Sequence, residues 1–175
     1  MAGPHTLAET ERAAESRIAG LELDIESLHV VSNLFRAANA VRNHMERNVL
    51  TPADLTWTAF VVLWVTWIWG SAETRVIADE TGVSKATLSG VLTTLEKRGL
   101  VVRSRSEDDG RLVLVELTSK GRRLIMRLFP RINAEETLAT RLLPAGTKED
   151  TAELLRLMVL AVSDDITVIR QCTTV

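Results

Sequence analysis

The polar and cationic side chains best suited to contact another molecule lie in one short segment, residues 84–111. Within it, hydroxyl and ammonium groups cluster first and arginines follow about fifteen positions later. Small hydroxyls and an ammonium group can hydrogen-bond base edges and phosphates in a major groove, and a flat guanidinium suits the narrow, negative minor groove. The residue types therefore indicate nucleic-acid binding if the chain brings them together. The candidates are Ser84, Lys85, Thr87, Ser89, Arg103, Arg105 and Arg111.

Two short helices joined by a tight turn are predicted around the first cluster. Residues 75–81 form the first helix, and Gly82 ends it because glycine readily adopts the positive φ of a helix C-terminus. Ser84 is a good N-cap for a second helix over residues 85–98. This second helix has one apolar face with helical spacing, formed by Leu88, Val91, Leu92 and Leu95. The pattern predicts a helix–turn–helix.

A β-hairpin is predicted after the second helix. Residues 100–105 and 111–117 are typical of strands, and residues 106–110 have the composition of a turn. With the two helices, this hairpin makes a winged helix. Arg111 is expected to reach a minor groove, while Arg103 and Arg105 are expected to contact the phosphate backbone. We expect Asp109 to pair with Arg105 or Arg111 and to hold the shape of the wing.

Two motifs in this region resemble those of the MarR-type transcriptional regulators. The D-x-R motif of the wing is Asp109-Gly110-Arg111, and the L-T-x-x-G motif is Leu117-Thr118-Ser119-Lys120-Gly121. The resemblance spans roughly residues 22–165 and includes residues 55–64. It implies a homodimer that binds a pseudo-palindromic operator, here expected to be a repressor, and in many members a small aromatic ligand releases the DNA. Gly110 departs from the commoner D-R-R wing and removes one positive charge.

Amphipathic helices are predicted on both sides of the winged helix. One spans residues 21–47; a second runs from residue 119 toward 143, with Pro130 expected to kink or break it. A last helix, residues 147–169, is apolar nearly all round, so we expect a second subunit to bury it. The expected fold is mainly α with a small β-hairpin wing. It has an N-terminal arm (1–20), a winged helix DNA-binding domain (56–118) and a helical dimerisation region (21–55 and 119–175).

All four tryptophans lie in one apolar helix predicted over residues 57–69. One interpretation places them in the core. The other places some of them in a cleft between the winged helix and the long helices, where ligands of the MarR family bind. An indole offers a stacking face and an N–H donor for such a ligand. The candidates under this interpretation are Trp64 and Trp69, with His44 or Arg36 as polar partners.

The distribution of charge favours DNA binding more than the net charge does. The chain has a formal net charge of −2, but residues 84–123 hold nine Lys or Arg against five Asp or Glu. The three histidines stand outside metal-ligand spacings, and no nucleophile motif or glycine-rich phosphate loop is present. We therefore expect no enzyme activity, no metal and no cofactor. A winged helix that binds another protein is the alternative, although the arginines of the wing favour DNA.

The sequence also bears on location and redox chemistry. Residues 1–20 lack the apolar run of a signal peptide, and the apolar stretch at 57–69 is shorter than the ~20 residues of a membrane span. We therefore expect a cytoplasmic protein with no membrane partner. Cys172 is the only cysteine, which excludes an intramolecular disulfide. Redox sensing through Cys172 would need the cysteine of a second copy.

Overall fold

The computed structural model describes residues 5–106, 109 and 111–163. Cys172, Gly110 and the last residues of the final predicted helix lie outside this range. The described part is mainly helical with one small antiparallel sheet, which confirms the predicted fold class. In chain order its elements are α1 (Leu7–Ile18), α2 (Ile25–Met45), α3 (Trp57–Trp69), β1 (Ser71–Glu73), α4 (Thr74–Thr81), α5 (Lys85–Lys97), β2 (Val101–Arg105), β3 (Val113–Leu117), α6 (Ser119–Ala139) and α7 (Lys148–Val162).

The N-terminal arm contains helix α1. Thr6 caps α1 in a reciprocal capping box with Glu9, which satisfies two backbone donors at once. Glu11 ties α1 to α2, because its Oε1 accepts from Asn33 Nδ2 at 2.8 Å and lies 3.6 Å from the Arg36 guanidinium. Helix α2 begins at Ile25, four residues later than predicted, and a π-helical segment with a 3₁₀ turn carries the chain on to Ala53.

The winged helix forms as predicted and contains one strand that the sequence did not reveal. Strands β2 and β3 pair antiparallel, and the three-residue β1 adds to the other edge of β3. A strand this short carries no readable alternation, so its pattern could not be separated from a loop. The sheet and helices α3 to α6 enclose a core whose most buried members are Leu63, Ile77, Leu92, Val115 and Ile125.

The L-T-x-x-G motif joins the base of the wing to α6. Thr118 caps α6 by accepting from the Gly121 backbone N–H at 3.0 Å, and its hydroxyl donates to the Gly99 carbonyl at 2.7 Å. Gly121 is buried, and a Cβ placed on it would lie 2.1 Å from the Leu100 carbonyl oxygen. Helix α6 therefore approaches Leu100, three residues after the end of α5, more closely than any side chain at position 121 would permit.

Helix α6 is continuous from Ser119 to Ala139 with Pro130 inside it, so no break occurs near Arg127. The chain divides into two compact units, Met1–Ile132 and Asn133–Val175. In the second unit, none of the described residues of α7 is buried within this single chain. The predicted burial of the last helix is therefore not supplied by the described chain alone.

No single helix in the described part is long and apolar enough to cross a membrane. The bent pair Ile25–Ala53 and Trp57–Trp69, which meet at 79°, reaches the required length and hydropathy only when the two are taken together.

Candidate nucleic-acid interface

The recognition helix α5 buries one face and exposes the polar one. Leu88, Leu92 and Leu95 are buried, as their spacing predicts, while Lys85 and Ser89 are exposed. Because every third or fourth residue enters the core, the positions between them must face outward. The exposed side chains near the N-terminus of α5 are short, so the helix backbone can approach a groove closely.

Ser84 is the N-cap of α5. Its hydroxyl accepts from the Thr87 backbone N–H at 3.1 Å and lies 2.9 Å from the Thr87 hydroxyl. Both hydroxyls are thus already engaged in holding the first turn together. Free backbone N–H groups and the helix dipole at this end still favour an anion such as a phosphate.

Arg103 is fixed by a glutamate of the recognition helix. Its Nε donates to Glu96 Oε2 at 3.1 Å, and a second guanidinium nitrogen contacts the same oxygen. The hydrogen bond from Arg103 lowers the pKa of the Glu96 carboxyl below its usual range, and the same bond raises the pKa of Arg103. We predicted Arg103 as a phosphate contact. Its described role is to attach the first wing strand to the recognition helix.

Asp109 organises the wing through the backbone. We predicted an ion pair with Arg105 or Arg111, but the described contact is a hydrogen bond from the Arg111 backbone N–H to Asp109 Oδ1 at 3.0 Å. The Asp109 carbonyl also accepts from the Leu112 N–H at 2.9 Å. Aspartate commonly forms such turns with the backbone two residues on. The side chains of Arg105 and Arg111 are exposed.

A cleft of about 460 Å³ lies between the recognition helix and the wing. Its other side is formed by Glu73, Thr74 and Arg75, at the end of β1 and the start of α4. Arg75 was missed by sequence analysis, because β1, which precedes it, was not recognised. The cleft brings together four of the seven predicted contact residues, namely Lys85, Ser89, Arg103 and Arg111. Ser84, Thr87 and Arg105 do not line it.

The predicted ligand residues have different neighbours in the structure. Trp64 stacks on Phe129 of α6 with ring centroids 4.8 Å apart and an interplanar angle of 10°, and it also contacts Trp67 at 5.3 Å. Trp69 is 60% exposed at the end of α3. Phe129 was missed as a partner, because it lies 65 positions from Trp64 and no local spacing links the two.

The two polar candidates are engaged within the N-terminal part of the chain. Arg36 pairs with Glu11 of α1, and the His44 ring lies 3.0 Å from the Asn48 side-chain amide. The four candidates therefore form no single described constellation. Across the residues that the structure describes, no group of three or more His, Cys, Asp or Glu side chains is placed to hold a metal ion.

A winged helix with a short-side-chain recognition helix and a basic cleft beside its wing defines a class of DNA-binding domain. The MarR family model matches residues 55–113, which cover the helix–turn–helix and reach the start of β3. An uncharacterised HTH-type transcriptional regulator of Bacillus subtilis, YwaE, is 38% identical over 144 residues, with 82% of each chain covered. This chain therefore belongs to the MarR family of transcriptional regulators, which bind DNA and are not enzymes as a class.

Solved structures agree with this assignment. BpsR of Bordetella bronchiseptica, whose DNA binding is regulated by 6-hydroxynicotinic acid, is 27% identical with a TM-score of 0.68. The match covers 75% of this chain and 98% of BpsR. A MarR family regulator of Streptomyces coelicolor, solved in complex with DNA, has a TM-score of 0.74 at 20% identity. That match covers 83% of this chain and 92% of the other. The second likeness concerns the fold alone.

The Glu96–Arg103 pair makes a testable prediction about the wing. We expect Glu96→Gln to raise hydrogen–deuterium exchange in β2 about two- to fivefold with little effect on overall stability, since the pair is partly exposed. Because folding lowers the pKa of Glu96, the pair stabilises the fold above pH 4.5 and is lost as the pH falls further. Hydrogen–deuterium exchange of β2, measured by mass spectrometry at neutral pH, tests the expected effect of Glu96→Gln. The control is Glu80→Gln on α4. Equal exchange of β2 in both variants would contradict the role of the Glu96–Arg103 pair in holding β2 to α5.

Proposed function

We propose that this protein is a transcriptional repressor that binds a pseudo-palindromic operator as a homodimer. The observation that carries the proposal is the cleft in which Lys85, Ser89, Arg103 and Arg111 meet. The N-terminal end of α5 enters a major groove, and the wing lies over the adjacent backbone and minor groove. Arg75, on the opposite side of the cleft, adds a further cation to this surface. Such a regulator works in the compartment that holds the DNA, and we propose that this compartment is the cytoplasm.

Exposed apolar side chains support the homodimer. On α7 the exposed residues include Leu154, Leu155 and Val159, and on α2 they include Val31 and Phe35. Large apolar groups left in water by one chain are typical of a surface that another subunit covers. A two-fold dimer presents two recognition helices about one helical turn apart, ~34–36 Å, and so reads two half-sites.

We further propose that a small aromatic effector releases the DNA. The regulation of BpsR by 6-hydroxynicotinic acid supports this, as does the group of indoles on α3. Trp64 and Trp69 remain the proposed stacking residues, with Arg36 or His44 proposed as polar partners. Phe129 now joins them, because its ring stacks directly on Trp64. A planar ligand would be recognised by intercalating into or capping this group of rings.

The test is fluorescence anisotropy with a labelled duplex from the promoter region beside its own gene, measured from 50 to 300 mM salt. We expect nanomolar binding with a steep inverse dependence on salt, because phosphate contacts release counterions. A scrambled duplex is the control and should bind at least about a hundredfold more weakly. Hydroxylated aromatic acids are then added, and release of the duplex is expected together with quenching of tryptophan fluorescence.

Three results would each count against one part of the proposal. Equal affinity for the scrambled duplex would contradict specific binding to an operator. It would favour the alternative, a winged helix that binds another protein. Specific binding by a protein that sediments as a monomer would contradict the proposed homodimer but not the proposed DNA recognition. Specific binding that no aromatic acid reverses would remove only the effector.

A further inference from the structure

A second cleft lies away from the recognition surface and is lined by cations. Its volume is about 270 Å³. It is located at the base of the wing, where Leu100 precedes β2 and where α6 begins. Its lining consists of four cationic side chains and three apolar residues: Arg98, Lys120, Arg123 and Arg127, with Ala53, Leu100 and Leu124.

Backbone carbonyls hold two of the four cations in place without neutralising them. Lys120 Nζ donates to the Arg98 carbonyl at 2.7 Å, and the Arg98 guanidinium donates to the Ala53 carbonyl at 3.2 Å and to the Asp54 carbonyl. A carbonyl is a neutral acceptor, so both side chains keep their full charge. The Asp54 carboxylate lies 3.6 Å from Arg98 but is 93% exposed, where an ion pair contributes little.

The remaining two cations repel each other across one turn of α6. Arg123 and Arg127 are four residues apart on the same helix face, both are exposed, and no ion pair to either is found in the described part of the chain. Like charges at this spacing destabilise a helix. The segment from Ser119 to Asn133 contains five Lys or Arg and no Asp or Glu, in a chain whose net charge is −2. A bound anion would relieve this repulsion.

The chemistry of the lining favours phosphate. Arginine forks match the oxygen geometry of a phosphate, and a fixed ammonium beside them adds a point charge. The apolar floor of Leu100 and Leu124 leaves room for a small non-polar portion of the ligand. The volume of the cleft, about 270 Å³, is slightly below the usual range of about 300–1,000 Å³ for small-molecule sites, which suits a compact molecule.

Position separates this cleft from the operator-binding surface. It lies at the base of the hairpin, and the five-residue strands β2 and β3 place the wing tip about 17 Å away. A duplex held by the N-terminus of α5 and the wing tip would leave the base of the wing free. We propose that this cleft binds a small phosphorylated molecule, as a ligand site separate from both the DNA surface and the aromatic residues of α3.

Isothermal titration calorimetry of the full chain with inorganic pyrophosphate, at fixed ionic strength in a phosphate-free buffer, tests the proposal. We expect saturable binding of one pyrophosphate per chain. The double variant Arg123→Gln/Arg127→Gln should weaken it at least tenfold. The matched control is Arg122→Gln/Arg141→Gln, which removes the same charge outside the cleft and should change the affinity less than twofold. Equal weakening in both pairs would show a general charge effect and would overturn the site.

Two further outcomes would also overturn it. If titration of the wild-type chain with pyrophosphate gives no saturable heat, the proposed site does not exist. If a 12-bp non-operator duplex displaces pyrophosphate, and the cleft variant loses that duplex as well, the surface belongs to DNA backbone and not to a small phosphate. Because both arginines are exposed, we expect the double variant to fold. If the double variant does not fold, the single variant Arg127→Gln is measured instead. The proposal then requires a threefold loss of its affinity for pyrophosphate.

Discussion

Gly121→Ala is expected to lower the free energy of unfolding by about 1–3 kcal/mol, although alanine is the better helix former. The new Cβ would lie 2.1 Å from the Leu100 carbonyl oxygen and 3.1 Å from its carbon. Both are backbone atoms, so no side-chain rotation relieves the overlap. Either α6 or the start of β2 must shift, and the Thr118 bonds that join them are strained or lost. At this chain length the change corresponds to about 3–10 °C in Tm.

Gly90→Ala is the matched control, since it makes the same substitution within a helix. An added Cβ at Gly90 meets nothing within 4 Å, and the position is exposed on α5. With no contact to disturb, the alanine should stabilise the protein by about 0.5–1 kcal/mol. Thermal unfolding of the two variants at equal protein concentration, without DNA, should therefore give shifts of opposite sign. A Gly121→Ala protein as stable as the parent would contradict the close approach.

The same glycine shows what sequence could and could not reveal. The L-T-x-x-G motif was one of the two motifs that carried the resemblance to the family. The need for glycine at position 121 depends on where the Leu100 carbonyl lies, 21 residues earlier, and no local pattern records that distance. Helix α3 and the recognition helix were predicted nearly to the residue because their caps and apolar spacing are local signals.

In the candidate site, residue types were predictable but their partners were not. The sequence placed Arg103 on the wing, yet its Glu96 partner lies on another element and on the far side of a turn. Arg75 was missed because the short β1 before it carries too few residues to show a pattern. Trp64 was considered for a ligand cleft because of its indole and the resemblance to the family, whereas its stacking on Phe129 depends on how α6 packs on α3. Local signals define elements, and long-range packing decides what their side chains meet.

Arg111→Ala is expected to weaken operator binding about 10- to 100-fold, or about 1.4–2.8 kcal/mol, while leaving the dimer intact. The residue lies in the turn before β3, with an exposed side chain that lines the cleft beside Lys85 and Ser89. Its backbone N–H holds the Asp109 turn in either variant, so the wing keeps its shape. Each subunit would lose one cationic contact, and the dimer two. The slope of log K against log salt should then fall by about 2.

Two further variants distinguish the effect of the guanidinium geometry of Arg111 from the effect of its charge. Arg12→Ala removes the same charge from exposed α1 and should leave operator affinity within about twofold. Arg111→Lys keeps the charge but loses the flat fork, so it should preserve the salt slope and lose discrimination between operator and scrambled duplex. Anisotropy with both duplexes measures each quantity, and analytical ultracentrifugation checks the dimer. Unchanged operator affinity for Arg111→Ala would mean that the wing does not reach DNA, and recognition would then rest on α5 and the opposite wall of the cleft alone.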